Sequence, residues 1–237
     1  MSATAPKRSN LLSVGLAFIA GYVDTVGFIA LFGLFTAHVT GNFVLIGSVL
    51  ARSSGSVLLK LLVFPAFIAA VALTRLIVLW IERRHRDALI PLLLLQFVLL
   101  GGFAVLGFIA SPISGAEETL AVWAGISGAA AMGVQNAAAR LVLPNLAPTT
   151  VMTGNVTQLV IDGVDLARGA GDADTRTRSA KFFWPIVAFA CGAIGGGFGV
   201  VHVGFVALTM PMLVLLVLAF ASGKSASAVV PRPGSSA

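Results

Sequence analysis

Thr40-Gly41-Asn42 and Thr153-Gly154-Asn155 are one tripeptide written twice in the same chain, each time inside an apolar stretch and at the head of a short helix-like run. Upstream of each lies a hydrophobic segment with polar side chains near its end, Asp24 before the first and Gln135 with Asn136 before the second. Downstream of each comes a lysine with a nearby proline, Lys60 with Pro65 and Lys181 with Pro185. Three landmarks in one order mark two structural repeats, roughly residues 11–110 and 118–222 of a single membrane domain, 1–222.

The setting of these repeats decides the solvent. Of 237 residues, 58% are hydrophobic and 10% charged, and the mean hydropathy is +1.01, more than a water-soluble core of this size requires. The chain therefore reads as an all-α integral membrane protein, because runs of about 18–25 apolar residues cross a hydrocarbon core of about 30 Å as helices. The strict alternation of a membrane barrel is absent. The run from Leu11 follows Lys7 and Arg8 but continues into further apolar segments, so it is read as a retained first helix rather than a cleaved signal. A net charge of +6 does not indicate nucleic acid, since the basic residues flank apolar segments where they set topology. Cys191 cannot form an internal disulfide and is assigned to small-residue packing. No His, Cys or carboxylate spacing suggests a metal site, and no cofactor is expected.

Full-length candidates are residues 11–32, 57–81, 89–110, 120–140, 182–201 and 204–221. Two shorter pieces, 40–51 and 153–167, reach about half to two-thirds of a bilayer at a rise of about 1.5 Å per residue. Charge separates the ways they can lie. If both re-enter and the N-terminus is inside, only Arg52 and Lys60 among the basic residues fall outside. If both cross, Arg75, Arg83, Arg84, Arg86 and Arg140 move outside together, against the cytoplasmic preference of Lys and Arg. Six crossings with two short re-entrant helices follow. Three crossings per repeat then place the second repeat upside down, giving two inverted repeats with both termini cytoplasmic. The Gly- and Asp-rich stretch 169–175 reads as a surface loop, and 223–237 as a disordered cytoplasmic tail.

Irregular backbone at membrane depth is tolerated where protein or a watery cavity satisfies it. Gly33 and Gly41 frame one such stretch, and Pro144 and Pro148 punctuate the other. Thr and Asn at the two helix starts suit N-capping, so each start presents a partly positive tip. Two tips meeting from opposite sides would form one central site for an anion or other hydrogen-bond acceptor, lined by Thr40, Gly41, Asn42, Thr153, Gly154 and Asn155, with His38, Gln135, Asn136 and Gln158 nearby. The plainer alternative is that these residues only cap and pack helices. Asp24, well inside a spanning segment, costs several kcal/mol to bury as a charge, and is read either as a proton carrier or as a protonated partner of a neighbouring helix. Asp162 and Asp165 are placed toward the cytoplasmic mouth, near Arg168. Ala121, Gly125, Ala129, Gly133 and Ala137 recur every four residues and predict close helix contact.

Gly21-Tyr22-Val23-Asp24, Gly33-Leu34-Phe35 and His38-Val39-Thr40-Gly41-Asn42, with a second Thr-Gly-Asn downstream, together resemble the YoaK family of bacterial membrane proteins, a family of unknown function. The resemblance spans most of residues 11–222 and matches at Asp24, Thr40, Gly41, Asn42, Thr153, Gly154 and Asn155. It implies a small multi-pass protein of the bacterial inner membrane and supplies no substrate. The residues themselves favour a secondary transporter or channel-like permease for a small polar, preferably anionic, solute, with Asp24 coupling protons. A non-transporting scaffold is the second reading. An intramembrane enzyme using Asp24 and His38 is the third, disfavoured because no nucleophile elbow or zinc motif accompanies them. The partners expected are the solute and the lipid bilayer, with no nucleic acid, and the sequence leaves monomer and homo-oligomer both open.

Overall fold

The computed structural model describes residues 4–52 and 57–227, and every regular element among them is helical. The first repeat contributes α1 (Thr4–Ala30), α2 (Gly41–Arg52), α3 (Leu58–Glu82) and α4 (Leu89–Ala110). The second contributes α5 (Thr119–Leu141), α6 (Thr153–Ala167), α7 (Ala173–Val203) and, after a 3-10 turn over Gly204–Leu208, α8 (Thr209–Ser227). Four stretches are long and apolar enough to cross a membrane: Ser9–Ala30, Leu58–Glu82, Leu89–Ala110 and the 51-residue run Ala173–Gly223. Large apolar side chains such as Leu76, Val98, Phe108, Phe198 and Phe220 point outward from them, the arrangement expected where lipid rather than water is the solvent.

At 23 residues, α5 is as long as the spanning helices, yet its Ala, Gly, Gln135 and Asn136 keep it out of that set. It is an enclosed helix like α1, with 12 of its residues buried. The stripe Ala121, Gly125, Ala129, Gly133 and Ala137 is buried throughout. A Cβ on Gly125 would press on Leu34 and Leu59, and one on Gly133 would lie 3.0 Å from the Ala70 Cβ and 3.1 Å from the Phe67 carbonyl oxygen. The first repeat's opening helix meets α7 in the same way. A Cβ on Gly21 would collide with the Phe189 carbonyl, one on Gly192 with the Phe18 carbonyl and one on Gly196 with the Tyr22 carbonyl. Small residues permit this backbone-to-backbone approach, which gains dispersion and close packing where lipid offers no hydrophobic drive.

Each helix packs against the partner expected from duplication: α1 on α7 as α5 on α3, α4 on α5 as α8 on α1, and α2 on α3 as α6 on α7. Contact order along the helices gives their directions. Phe18 meets Gly192 and Tyr22 meets Gly196, so α1 and α7 run parallel. Leu16 meets Gln135 while Leu31 meets Gly125, so α1 and α5 run opposite ways.

Three local outcomes depart from expectation. Helix α7 starts nine residues before residue 182, because Asp172 caps it: its carboxylate accepts from the Thr175 amide at 2.8 Å and from the Thr175 hydroxyl at 2.7 Å. Those bonds hold the Asp172 carboxyl below the usual carboxylate range. The loop assigned to 169–175 thus ends at the cap. Helix α8 runs to Ser227, beyond the start assigned to a tail at 223, and the rest of that segment lies outside the described residues. Cys191 is exposed on the outer face of α7 rather than packed.

Candidate functional site

The two irregular joins share one pattern of bends but leave the preceding helices differently, the first alone through positive φ. After α1 the chain turns through positive φ at Phe32 and Gly33, and the Lys60 ammonium reaches back from α3 to the Phe32 carbonyl at 2.9 Å, a cation at a helix C-terminus. From residue 33 to 38 and from residue 146 to 151 the order of bends and irregular residues is the same.

The tripeptide asparagines hold these paths shut. Asn42 Nδ2 donates to the Phe35 carbonyl at 2.8 Å, and its Oδ1 accepts from the Phe35 amide at 2.9 Å. Asn155 Nδ2 donates to the Pro148 carbonyl at 2.8 Å across the same seven-residue gap, but proline offers no amide to return. Neither asparagine therefore caps a helix, contrary to the sequence reading: each is buried and turned back toward the join, and α6 begins after Met152 with no side-chain cap. Thr40, Thr153 and Gly154 are exposed. Asn42→Ala should cost about 2–3 kcal/mol, since two backbone groups lose partners, and Asn155→Ala about 1 kcal/mol. Thermal unfolding in detergent measures the difference, and equal losses would contradict it.

The residues upstream take up the next backbone groups of each join. Asp24 is buried, and its Oδ1 accepts from the Thr36 and Ala37 amides, each at 2.7 Å. Its Oδ2 lies 2.6 Å from His38 Nδ1. The histidine ring, 32% exposed, stands edge-on to Phe35 and Phe189, and Nε2 has no hydrogen-bond partner among the described residues. In the second repeat Asn136 donates to Thr150 Oγ1 at 2.9 Å. Gln135 donates to the Leu16 carbonyl and to Thr149 Oγ1, and accepts from Gln96 at 2.7 Å. Gln135 is thus consumed as a junction of α1, α4 and α5. Gln158, expected beside the site, donates instead to Asp162 at 2.8 Å. Asp162 is fully buried and grips Arg178 rather than Arg168, with contacts of 2.7 and 3.0 Å.

Two cavities flank the joins and share no lining residue. One, of about 440 Å³, has Asp24, His38 and Gly41 among walls from Phe28, Phe35 and Phe189. The other, of about 520 Å³, has Asn136, Arg140, Thr149, Thr150 and Gly154. In place of one cavity shared by two facing tips there are two separate cavities, with each tripeptide asparagine folded back against its own join. Their chemistry differs: a carboxylate–imidazole pair among aromatics in one, an arginine with amide and hydroxyl groups in the other. Sequence reasoning passed over Arg140 as a topology signal, although its place one helical turn after Asn136 on α5 was readable.

An all-helical bundle with an outward-facing apolar surface and membrane-length helices is a multi-pass membrane protein. The chain belongs to the family described as "Protein of unknown function (DUF1275)", which it matches over residues 12–221. It is similar to "UPF0700 transmembrane protein YoaK" of Bacillus subtilis (strain 168), with 32% identity over 160 residues, covering 67% of this chain and 68% of that protein. The family resemblance read from Asp24, His38 and the paired tripeptides is borne out. No solved structure matches.

Proposed function

We propose that the chain is a secondary transporter or channel-like permease of the bacterial inner membrane for a small polar, preferably anionic, solute, coupled to proton movement on the Asp24–His38 pair. The observation that carries this reading is that pair: a buried carboxylate 2.6 Å from a histidine, at a break in the helices, on the wall of a 440 Å³ cavity. Ionisable groups at membrane depth are costly and are retained chiefly where ions or protons pass. Oδ1 of Asp24 is held by two amides, so the mobile proton belongs between Oδ2 and Nδ1, with Nε2 as its exit toward the cavity. Arg140, Asn136 and Thr150 supply the complementary solute half-site in the second cavity.

The membrane placement in this proposal has six crossings, with α2 and α6 re-entrant and the repeats inverted. The parallel run of α1 with α7 and the opposed run of α1 with α5 support it, since full crossing by both short helices would make α1 and α5 parallel. Both termini then lie in the cytoplasm, and the two half-sites open toward opposite faces. A non-transporting scaffold is favoured by one observation, the internal use of Asn42, Asn155 and Gln135.

Proteoliposomes separate the two. With a pH-sensitive dye trapped inside, a panel of small organic and inorganic anions should include at least one whose addition drives proton movement only in vesicles containing the protein. Proton traces identical to those of protein-free vesicles across the panel would favour the scaffold.

A further inference from the structure

Because α1 and α7 run parallel, their first turns come together at one end of the bundle, where the segment 145–147 closes a third side. A cavity of about 580 Å³ lies between them, within the size range of small-ligand sites. Every polar side chain in its lining can donate: Ser9, Asn10 and Ser13 from α1, Asn145 from the join, and Arg176, Thr177, Lys181 and Trp184 from α7. No carboxylate lines it. The acids nearest in sequence, Asp172 and Asp174, stand outside the lining, and Asp172 is engaged by Thr175. Among the described residues neither Arg176 nor Lys181 forms an ion pair. Ser13 is 5% exposed, yet its hydroxyl has no hydrogen-bond partner, an unusual cost for a buried polar group.

We propose that this cavity binds a phosphate group. Two unneutralised cations with a waiting hydroxyl and two amides make a donor set that a multiply accepting, doubly charged oxyanion satisfies, the arginine fork and the lysine point charge acting together. Trp184 lines the same cavity and is more than half exposed, as aromatic side chains are at the level of lipid headgroups. The phosphate therefore comes either from an anionic phospholipid headgroup or from a soluble phosphate compound. The inference is separable from the transport reading: the cavity shares no residue with the Asp24–His38 half-site and only Leu146 and Ala147 with the Arg140 cavity, Arg176 and Lys181 line neither of those, and its binding is measurable without flux.

The test uses the full chain purified in detergent, titrated with inorganic phosphate against sodium chloride at matched ionic strength, with thermal unfolding as the readout. Phosphate should raise the unfolding temperature saturably. The Arg176→Gln/Lys181→Gln double variant should raise the half-saturating concentration by about tenfold or more, and Ser13→Ala by about threefold. Arg86→Gln, in the turn between α3 and α4, should leave it unchanged. Should the double variant not fold, Lys181→Gln alone, at an exposed position, carries the comparison. Nanodiscs identify the source. Stabilisation by phosphatidylglycerol over pure phosphatidylcholine, with no further gain from phosphate, assigns a lipid headgroup, whereas equal phosphate stabilisation in both assigns a soluble compound. A wild-type protein indifferent to both phosphate and phosphatidylglycerol, or cation variants that match it, would overturn the proposal.

Discussion

Gly192→Leu is expected to yield no monodisperse protein in detergent, and Gly192→Ala to lower stability by about 2–3 kcal/mol, the cost of overpacking a tight contact. The reason is what the new atoms would meet. A Cβ at Gly192 collides with the backbone carbonyl of Phe18, and one at Gly196 with that of Tyr22. A side chain can rotate away from a clash, but a helical carbonyl cannot, so α1 and α7 must separate. That interface brings Phe18, Gly21 and Tyr22 of α1 against Phe189, Gly192 and Gly196 of α7 and fixes the parallel run of the two helices. Gly163→Ala in α6 is the matched control, since its Cβ would find open space and the change should be neutral or gain about 0.5–1 kcal/mol. Size-exclusion profiles and thermal unfolding decide the matter. A Gly192→Leu protein with wild-type behaviour in both would mean that the close α1–α7 crossing is not the centre of the fold.

The all-helical membrane fold was legible because membrane helices are written in composition and because the landmarks that punctuate them are few. Thr-Gly-Asn, the polar residues ahead of it and the four-residue stripe of α5 led to the element order and to the close packing of α5. What failed to be legible depended on non-helical geometry. Asn42 and Asn155 sit where statistics favour capping, but their amides reach back seven residues because the join between helices curls under them. A cap preference describes one helix end and is silent about a carbonyl on the preceding bend. The start of α7 was missed for a different reason: its first turns are polar, so an apolar-run criterion begins only at Phe182, although Asp172 followed three residues later by Thr175 already carried the capping signal. Arg178 lies 16 residues beyond Asp162, and only the packing of α6 on α7 brings the two together.

The division between one central site and two half-sites has a physical origin in the same folding-back. A free helix start can offer its amides to a ligand; in α2 the asparagine beside those amides is spent on Phe35, and in α6 on Pro148. The groups left facing open volume are those with a second polar atom to spare: His38, whose Nδ1 is engaged but whose Nε2 is not, and Arg140, which is exposed at the end of α5. Where the first repeat has Asp24 and His38, the second has Asn136 and Val151, so one join can exchange a proton and the other cannot.

That asymmetry makes the substitutions of Asp24 the sharpest division between structure and transport. Asp24→Ala strands the Thr36 and Ala37 amides and the His38 ring together in a buried join, and should cost about 3–5 kcal/mol, enough to abolish a recoverable fold. Asp24→Asn differs by one atom type. Its Oδ1 still accepts from both amides, so the join should close and unfolding should fall by about 1–2 kcal/mol at most, but an amide cannot take or release a proton beside Nδ1. In proteoliposomes, Asp24→Asn should therefore exchange labelled solute across the membrane at a rate within a few-fold of wild type while losing accumulation driven by an imposed pH gradient. His38→Gln should reproduce that loss with a smaller effect on stability, because the backbone bonds of Asp24 remain. Gradient-driven accumulation that survives in Asp24→Asn would remove the proton from the mechanism. Loss of both exchange and accumulation in a protein that unfolds normally would instead place Asp24 on the solute itself, since the join would be intact and only the charge missing.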